Sequence, residues 1–291
     1  MAVRWRSLRA FSFPLSALPV VIGTAAVLPP GRWRVDMLAA AVVGAVLLHA
    51  AANLLNDFFD YHAGVDRTLD GDEGRPGRVL VRRELRPADV LREALVCLAL
   101  VVPVAVYVVD RAGMGVLWFG LLGIAALYAY TGPPLRLKYR AFGEFVIIVI
   151  FGPALMGGAV YAQTGMVRWD SIVLSIPVGM MTMNVLLGNN IRDAAEDSDA
   201  RIRTMAHVLG RSTAVRVYVL LLFAPQALVL VLAATGVVSR WTALSAVAAA
   251  PAVSVVRRMR AAHRIPDIDS RTARVATLFM LLLLVGLVLP A

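Results

Sequence analysis

The feature that most limits how this 291-residue chain can fold is a recurrence of long apolar runs. Nine occur, at residues 11–29, 37–58, 90–109, 112–131, 144–163, 171–191, 213–235, 240–257 and 273–290, the eighth rich in alanine. About 20 residues at 1.5 Å rise cross the hydrocarbon of a bilayer. The runs therefore predict an all-α, polytopic membrane bundle of nine transmembrane helices. Only 16% of the residues are charged, against about 25% in soluble domains, and mean hydropathy is +0.75.

The net charge of +10 would suit a nucleic-acid binder, but its distribution gives another reading. With the N-terminus in the cytoplasm, the inside segments hold Arg4, Arg6 and Arg9, seven Arg from Arg67 to Arg92, and Arg136, Lys138 and Arg140. They also hold Arg192, Arg201, Arg203, Arg211 and Arg216, and six Arg from Arg257 to Arg274. Outside lie only Arg32, Arg34, Arg111, Arg168 and Arg240. Such a bias is the positive-inside pattern. It predicts an N-terminus inside, a C-terminus outside, the lipid bilayer as partner and no nucleic acid.

The opening segment has the basic-then-apolar form of a signal peptide, but eight further runs follow it, so it reads as an uncleaved first helix. The single Cys97 allows no internal disulfide and no cysteine metal cluster. The longer polar segments, 59–89, 192–212 and 257–272, all fall on the cytoplasmic side. Residues 1–291 thus read as one membrane domain with its chemistry on one face.

Two acidic motifs stand at cytoplasmic helix ends. The second run ends in Asn56-Asp-Phe-Phe-Asp60; the sixth ends in Asn189-Asn-Ile-Arg-Asp193, followed by Ala-Ala-Glu-Asp197. Both contain Asn-x-x-x-Asp, four helices apart, as parallel repeats would place them. Along a helix, Asn53, Asn56, Asp57 and Asp60 share an arc of about 100°, as do Asn189, Asp193, Glu196 and Asp197. One such cluster is ordinary where a helix emerges into water. Two of the same pattern favour a bound ion, because acids near membrane depth face a cavity, a partner or a cation. Oxygen-only ligands suit Mg2+, which is commonly completed by substrate phosphate oxygens.

Basic residues interleave with the acids and, with Mg2+, would form an electropositive mouth for a diphosphate. In Tyr130-Thr-Gly-Pro-Pro-Leu-Arg-Leu-Lys138 a stiff turn ends in the chain's one lysine, the preferred phosphate contact. Asp70, Asp72 and Glu73 read as solvated loop. His49 and His62 flank the first motif and read as hydrogen-bonded structure; Phe58, Phe59 and Tyr61 suit either an apolar pocket or helix packing. No zinc-protease motif, nucleophile elbow or phosphate-binding P-loop occurs.

With both motifs in view, the chain resembles the UbiA superfamily of membrane prenyltransferases over nearly its whole length. Several segments are most similar to the 1,4-dihydroxy-2-naphthoate prenyltransferases of menaquinone synthesis. These are Gly64-Val-Asp66, which sets the last acid of the first motif behind a glycine, Gly143-Glu-Phe, Phe151-Gly, Gln163-Thr-Gly165, Asn189-Asn-Ile-Arg-Asp193 and Arg203-Thr-Met-Ala206. The Arg-Pro-x-Thr-Leu opening common in that group is Arg9-Ala-Phe-Ser-Phe13 here, and Ile202 stands where a lysine is frequent.

The resemblance implies a multi-pass enzyme of a bacterial cell membrane that joins a polyprenyl diphosphate to an aromatic acceptor with Mg2+. Asp57, Asp60 and Asp66 would hold one metal ion, with Asn56 assisting, and Asp193 and Asp197 another. Lys138, Arg203 and Arg67 would hold the diphosphate, with Asn189 and Tyr130 lining the substrate site. Asp60, Asp193 and Lys138 would carry catalysis. Two other activities fit some of the same residues. A UbiA-type terpene cyclase would use the same metal site without an acceptor. A cation or proton transporter would need acids through the bilayer, whereas the outer half offers only Asp36, Asp110 and Asp170.

Overall fold

A computed structural model describes residues 2–65, 79–199, 202–261 and 265–290. A short helix α1 (Ala2–Ser7) and a 3-10 turn lead into α2 (Pro14–Val27), α3 (Val35–His62), α4 (Pro87–Ala112) and α5 (Gly115–Thr131). Then come α6 (Gly143–Val149), a π-helical turn (Ile150–Ala154), α7 (Leu155–Thr164) and α8 (Trp169–Asp199). The chain closes with α9 (Met205–Leu209), α10 (Arg211–Ala234), a 3-10 helix (Arg240–Ala248), α11 (Ala249–Ala261) and α12 (Ile268–Val288). Among the described residues there is no strand, only an isolated bridge between Arg140 and Arg203.

Local sequence sets these boundaries. Pro14 and Pro87 open α2 and α4 at positions whose N–H groups would have no helical partner. Gly165 closes α7 in the left-handed conformation that only glycine adopts without cost. Pro153 lies within the π-helical turn, whose widened backbone accommodates the missing donor.

Seven described segments are long and apolar enough to cross a membrane: Ala10–Val27, Val35–His62, Pro87–Ala112, Gly143–Thr164, Trp169–Ala194, Arg211–Ala234 and Ile268–Val288. The chain is thus a multi-pass membrane protein. The other two apolar runs are built differently. Helix α5 is shorter, at 17 residues, and the run 240–257 is a nine-residue 3-10 helix followed by α11. The 3-10 stretch has a physical reason. At three residues per turn, Thr242, Ser245 and Ala248 fall on one face, and all three are fully buried where the segment packs on α10 and α12.

Helix α2 packs on α3, α7, α8 and α12, and α8 packs on α6, the π turn, α10 and α12. The largest core cluster joins α2, α8, α10 and α12 through residues such as Ile22, Met181, Tyr218 and Phe279. Backbones approach closely where glycines allow it. A Cβ on Gly152 would lie 2.7 Å from the Ser175 carbonyl oxygen, and one on Gly179 would lie 2.6 Å from that of Ile148. Small residues serve membrane helix packing in this way because lipid gives no hydrophobic drive between helices. Large apolar side chains such as Leu100, Val106, Trp118 and Leu121 point outward from α4 and α5, as a lipid-facing surface requires.

Candidate active site

The polar end of α3 is tied down by its neighbours. Asn53 donates to the Leu8 carbonyl at 3.0 Å. Asp57, only 3% exposed, is ion-paired with Arg9, which takes a left-handed conformation at φ 51 to reach it. Asp60, 4% exposed, accepts from Lys138 Nζ at 2.6 Å and from the Tyr139 hydroxyl at 2.5 Å. Lys138 also donates to Asn56 Oδ1 at 3.3 Å. The loop between α5 and α6 delivers this lysine, turning at left-handed Arg136 into the short 3-10 helix Leu137–Tyr139.

Burial alone would lower the affinity of Lys138 for its proton. The Asp60 carboxylate beside it, and then Tyr130 and Tyr139, outweigh that cost and hold it above the ordinary lysine range. Burial, followed by the charge of Asp60, pushes the Tyr139 hydroxyl up as well, so it remains a donor.

The second motif is organised by Arg192, whose side chain is 5% exposed. It pairs with Asp193 at 2.8 Å, bonds Asn189, reaches Asp269 of α12 at 3.2 Å and donates to the Pro266 carbonyl at 2.9 Å. One residue away, Asn190 donates to the buried Glu144 at 2.7 Å. The loop after α8 is fixed by His207, which donates from Nε2 to the Ala194 carbonyl at 2.7 Å and meets the Thr204 hydroxyl at Nδ1. The Arg203 N–H donates to the Tyr139 carbonyl at 3.3 Å, joining this loop to the one that carries Lys138.

A cavity of about 320 Å³ opens between the two motifs. At its polar end stand Arg9, Asn53, Asn56, Lys138, Asn189 and Asp269; Tyr130 lines it too. Its walls are apolar, including Val104, Phe119, Leu127 and Phe151. The structure thus brings Asn56, Tyr130, Lys138 and Asn189 to one chamber. Asp57, Asp60, Asp193 and Asp197 lie outside its lining, the first three against cations and Asp197 buried. Arg203 is exposed beside it. Asp66 and Arg67 lie outside the described residues, as do Asp70, Asp72 and Glu73.

Some readings of the sequence change here. His49 lines the cavity, where an isolated structural histidine was expected. Phe58 and Phe59 pack on one another, with Phe59 also against Tyr128, so packing is their role. Sequence reasoning missed Arg9, Arg192, Asp269 and Glu144. Arg9 and Arg192 had been absorbed into the positive-inside pattern, and Asp269 falls in a segment that reads as polar loop.

Oxygen donors of the type Mg2+ prefers are present. Asp57 Oδ2 is buried without a hydrogen-bond partner, and Asn56 and Asp60 stand beside it. A buried carboxylate oxygen left unpaired is costly unless a cation completes it. Among the described residues, no three acids, histidines or cysteines converge into a preformed metal cluster. The donor chemistry fits the ion, and the cations Arg9, Lys138 and Arg192 occupy the carboxylates.

Comparison with known proteins supplies the lineage. The UbiA prenyltransferase family profile matches residues 16–283. UbiA prenyltransferase domain-containing protein 1 of Gallus gallus is 30% identical over 289 residues, covering 97% of this chain and 84% of that protein. The 1,4-dihydroxy-2-naphthoate octaprenyltransferase of Bacillus subtilis is 29% identical over 241 residues, covering 82% and 76%. A UbiA homologue from Archaeoglobus fulgidus, solved bound to GPP and Mg2+, superposes with a TM-score of 0.61 at 13% identity, covering 98% of this chain and 99% of that one.

Proposed function

The chain belongs to the UbiA prenyltransferase family, and from that premise we propose that it transfers an isoprenyl group from a polyprenyl diphosphate to 1,4-dihydroxy-2-naphthoate, an aromatic acceptor, as in menaquinone synthesis. The observation that carries this reading is the cavity itself. It has one polar, cationic end and long apolar walls, the shape and chemistry of an amphiphile with a diphosphate head and a hydrocarbon tail. The acceptor follows the Gly64-Val-Asp66 and Arg203-Thr-Met-Ala206 segments and the likeness to the Bacillus subtilis enzyme.

In this reading Lys138 and Arg9 bind the diphosphate oxygens from inside the cavity, with Arg203 and Arg67 reaching them from the rim. Asn56 and Asn189 position the head from opposite helices, and Tyr130 closes the wall beside the reacting carbon. Mg2+, when bound, supplies positive charge against the departing diphosphate. Asp57, Asp60 and Asp66 would hold one ion and Asp193 and Asp197 another. The apolar walls exclude water, so the allylic carbon meets the ring rather than hydroxide. Asp60, Asp193 and Lys138 are the residues on which turnover depends.

We further place all nine apolar runs across the cell membrane of a bacterium, N-terminus in and C-terminus out, with the site at the cytoplasmic face. The run 240–257 is compatible with a crossing: nine residues at roughly 2.0 Å and thirteen at 1.5 Å reach about 37 Å.

Diphosphate release under Mg2+, measured with and without dihydroxynaphthoate, tests the reading. Release stimulated at least about tenfold by the acceptor is expected. Release indifferent to acceptor, with a cyclic hydrocarbon as product, would make the protein a terpene cyclase.

A further inference from the structure

His49 sits on α3 two helical turns from Asn56, on the same face, roughly 10 Å deeper along the helix axis. It lines the cavity, and the rings of Phe13 and Phe151 meet it edge-on at 5.8 and 5.1 Å. Both of its ring nitrogens face serine hydroxyls: Nε2 lies 3.3 Å from Ser12 Oγ and Nδ1 lies 3.1 Å from Ser16 Oγ. Each serine has a single hydroxyl hydrogen. Ser12 donates its own to the Arg9 carbonyl at 2.8 Å, and Ser16 donates its own to the Phe13 carbonyl at 3.0 Å. Carbonyl oxygens only accept, so both serine oxygens are left as acceptors toward the ring.

That arrangement is complementary to an imidazole carrying two N–H groups. A neutral ring has one, so one nitrogen presents its lone pair to an oxygen unless that serine turns away from its carbonyl. Taking up a proton restores a full set of bonds without moving any other group. We propose that His49 is the base of the transfer, accepting the acceptor's hydroxyl proton while Ser12 and Ser16 hold the resulting imidazolium.

The assignment rests on the transferase reading above. As the ring carbon forms its bond to the allylic carbon, the carbon–oxygen bond of the diphosphate breaks and its electron pair leaves with the diphosphate. The hydroxyl proton passes to His49, and the oxygen becomes a carbonyl. If the attacked carbon bears the ring carboxylate, carbon dioxide departs, its electron pair restores the aromatic ring, and His49 returns the proton to the oxygen. If that carbon bears hydrogen, its proton goes to the oxygen and the proton on His49 leaves to solvent.

The test is His49→Gln, which keeps a donor and an acceptor for the two serines but cannot store a proton, with His49→Asn as a second variant. Three readouts are taken: insertion and thermal stability in detergent, KM for the prenyl diphosphate, and kcat for transfer to dihydroxynaphthoate. Expected is a stable protein with KM within about threefold of native and kcat lowered about 100-fold or more, the lower range of lost general-base catalysis. A kcat near native in either folded variant overturns the assignment and leaves the transferase reading intact. A rise in KM that accounts for the whole loss also overturns it, because His49 would then shape binding only. No prenylated ring from the native enzyme overturns the transferase reading and this assignment with it.

Discussion

Lys138 illustrates how a single side chain serves the site. It is held between Asp60, Asn56 and the Tyr139 ring, and Asp60 raises its proton affinity above the cost of burial. Because the shift is upward, the ammonium persists through its ordinary range and is lost only above about pH 10. The KM for prenyl diphosphate should therefore show no lysine limb between pH 6 and 9. Lys138→Met should raise that KM and cut turnover by about 10²-fold or more, on the scale of losing one charged transition-state contact. Asp60→Ala or Asp193→Ala should nearly abolish turnover while the protein still inserts; substantial activity would refute their proposed role. Arg192→Ala removes the buried cation shared by Asp193 and Asp269, at a cost of about 3–5 kcal/mol, read as a lowered thermal midpoint in detergent. The two Asn-x-x-x-Asp motifs were legible because carboxylates at membrane depth need a reason. Arg9 and Arg192 were not, because an arginine at a cytoplasmic helix end is equally explained by topology.

At the scale of elements, hydropathy located the helices well because lipid leaves a helix few alternatives. It could not foresee how two of the runs are built. The π turn at Ile150–Ala154 and the 3-10 face of Thr242, Ser245 and Ala248 depend on which neighbour each small residue meets. The same dependence governs Gly152 and Gly179, where the π turn and α8 nearly touch. Gly179→Val should drive a side chain into the Ile148 carbonyl and destabilise the protein by about 1–3 kcal/mol, as overpacking does. A thermal melt in detergent checks this, and an unchanged midpoint would mean the helices separate at no cost. The cavity was likewise invisible in sequence, since its lining comes from the first 3-10 turn, α3, α5, α8 and α12, far apart along the chain.

For the molecule as a whole, charge is sorted to one end and apolar surface to the perimeter. The two motif-bearing helices α3 and α8 meet the loop carrying Lys138 at the polar end of one chamber. A prenyl diphosphate entering there would place its head among cations and amides, its tail along apolar walls, and its reactive carbon between them, toward His49. The measurement that tests this most directly is the mass of the product made from a prenyl diphosphate and dihydroxynaphthoate with Mg2+. A prenylated naphthalene that has lost the ring carboxylate is the expected result. Recovery of unchanged acceptor alongside a cyclised or merely hydrolysed isoprenoid would contradict it.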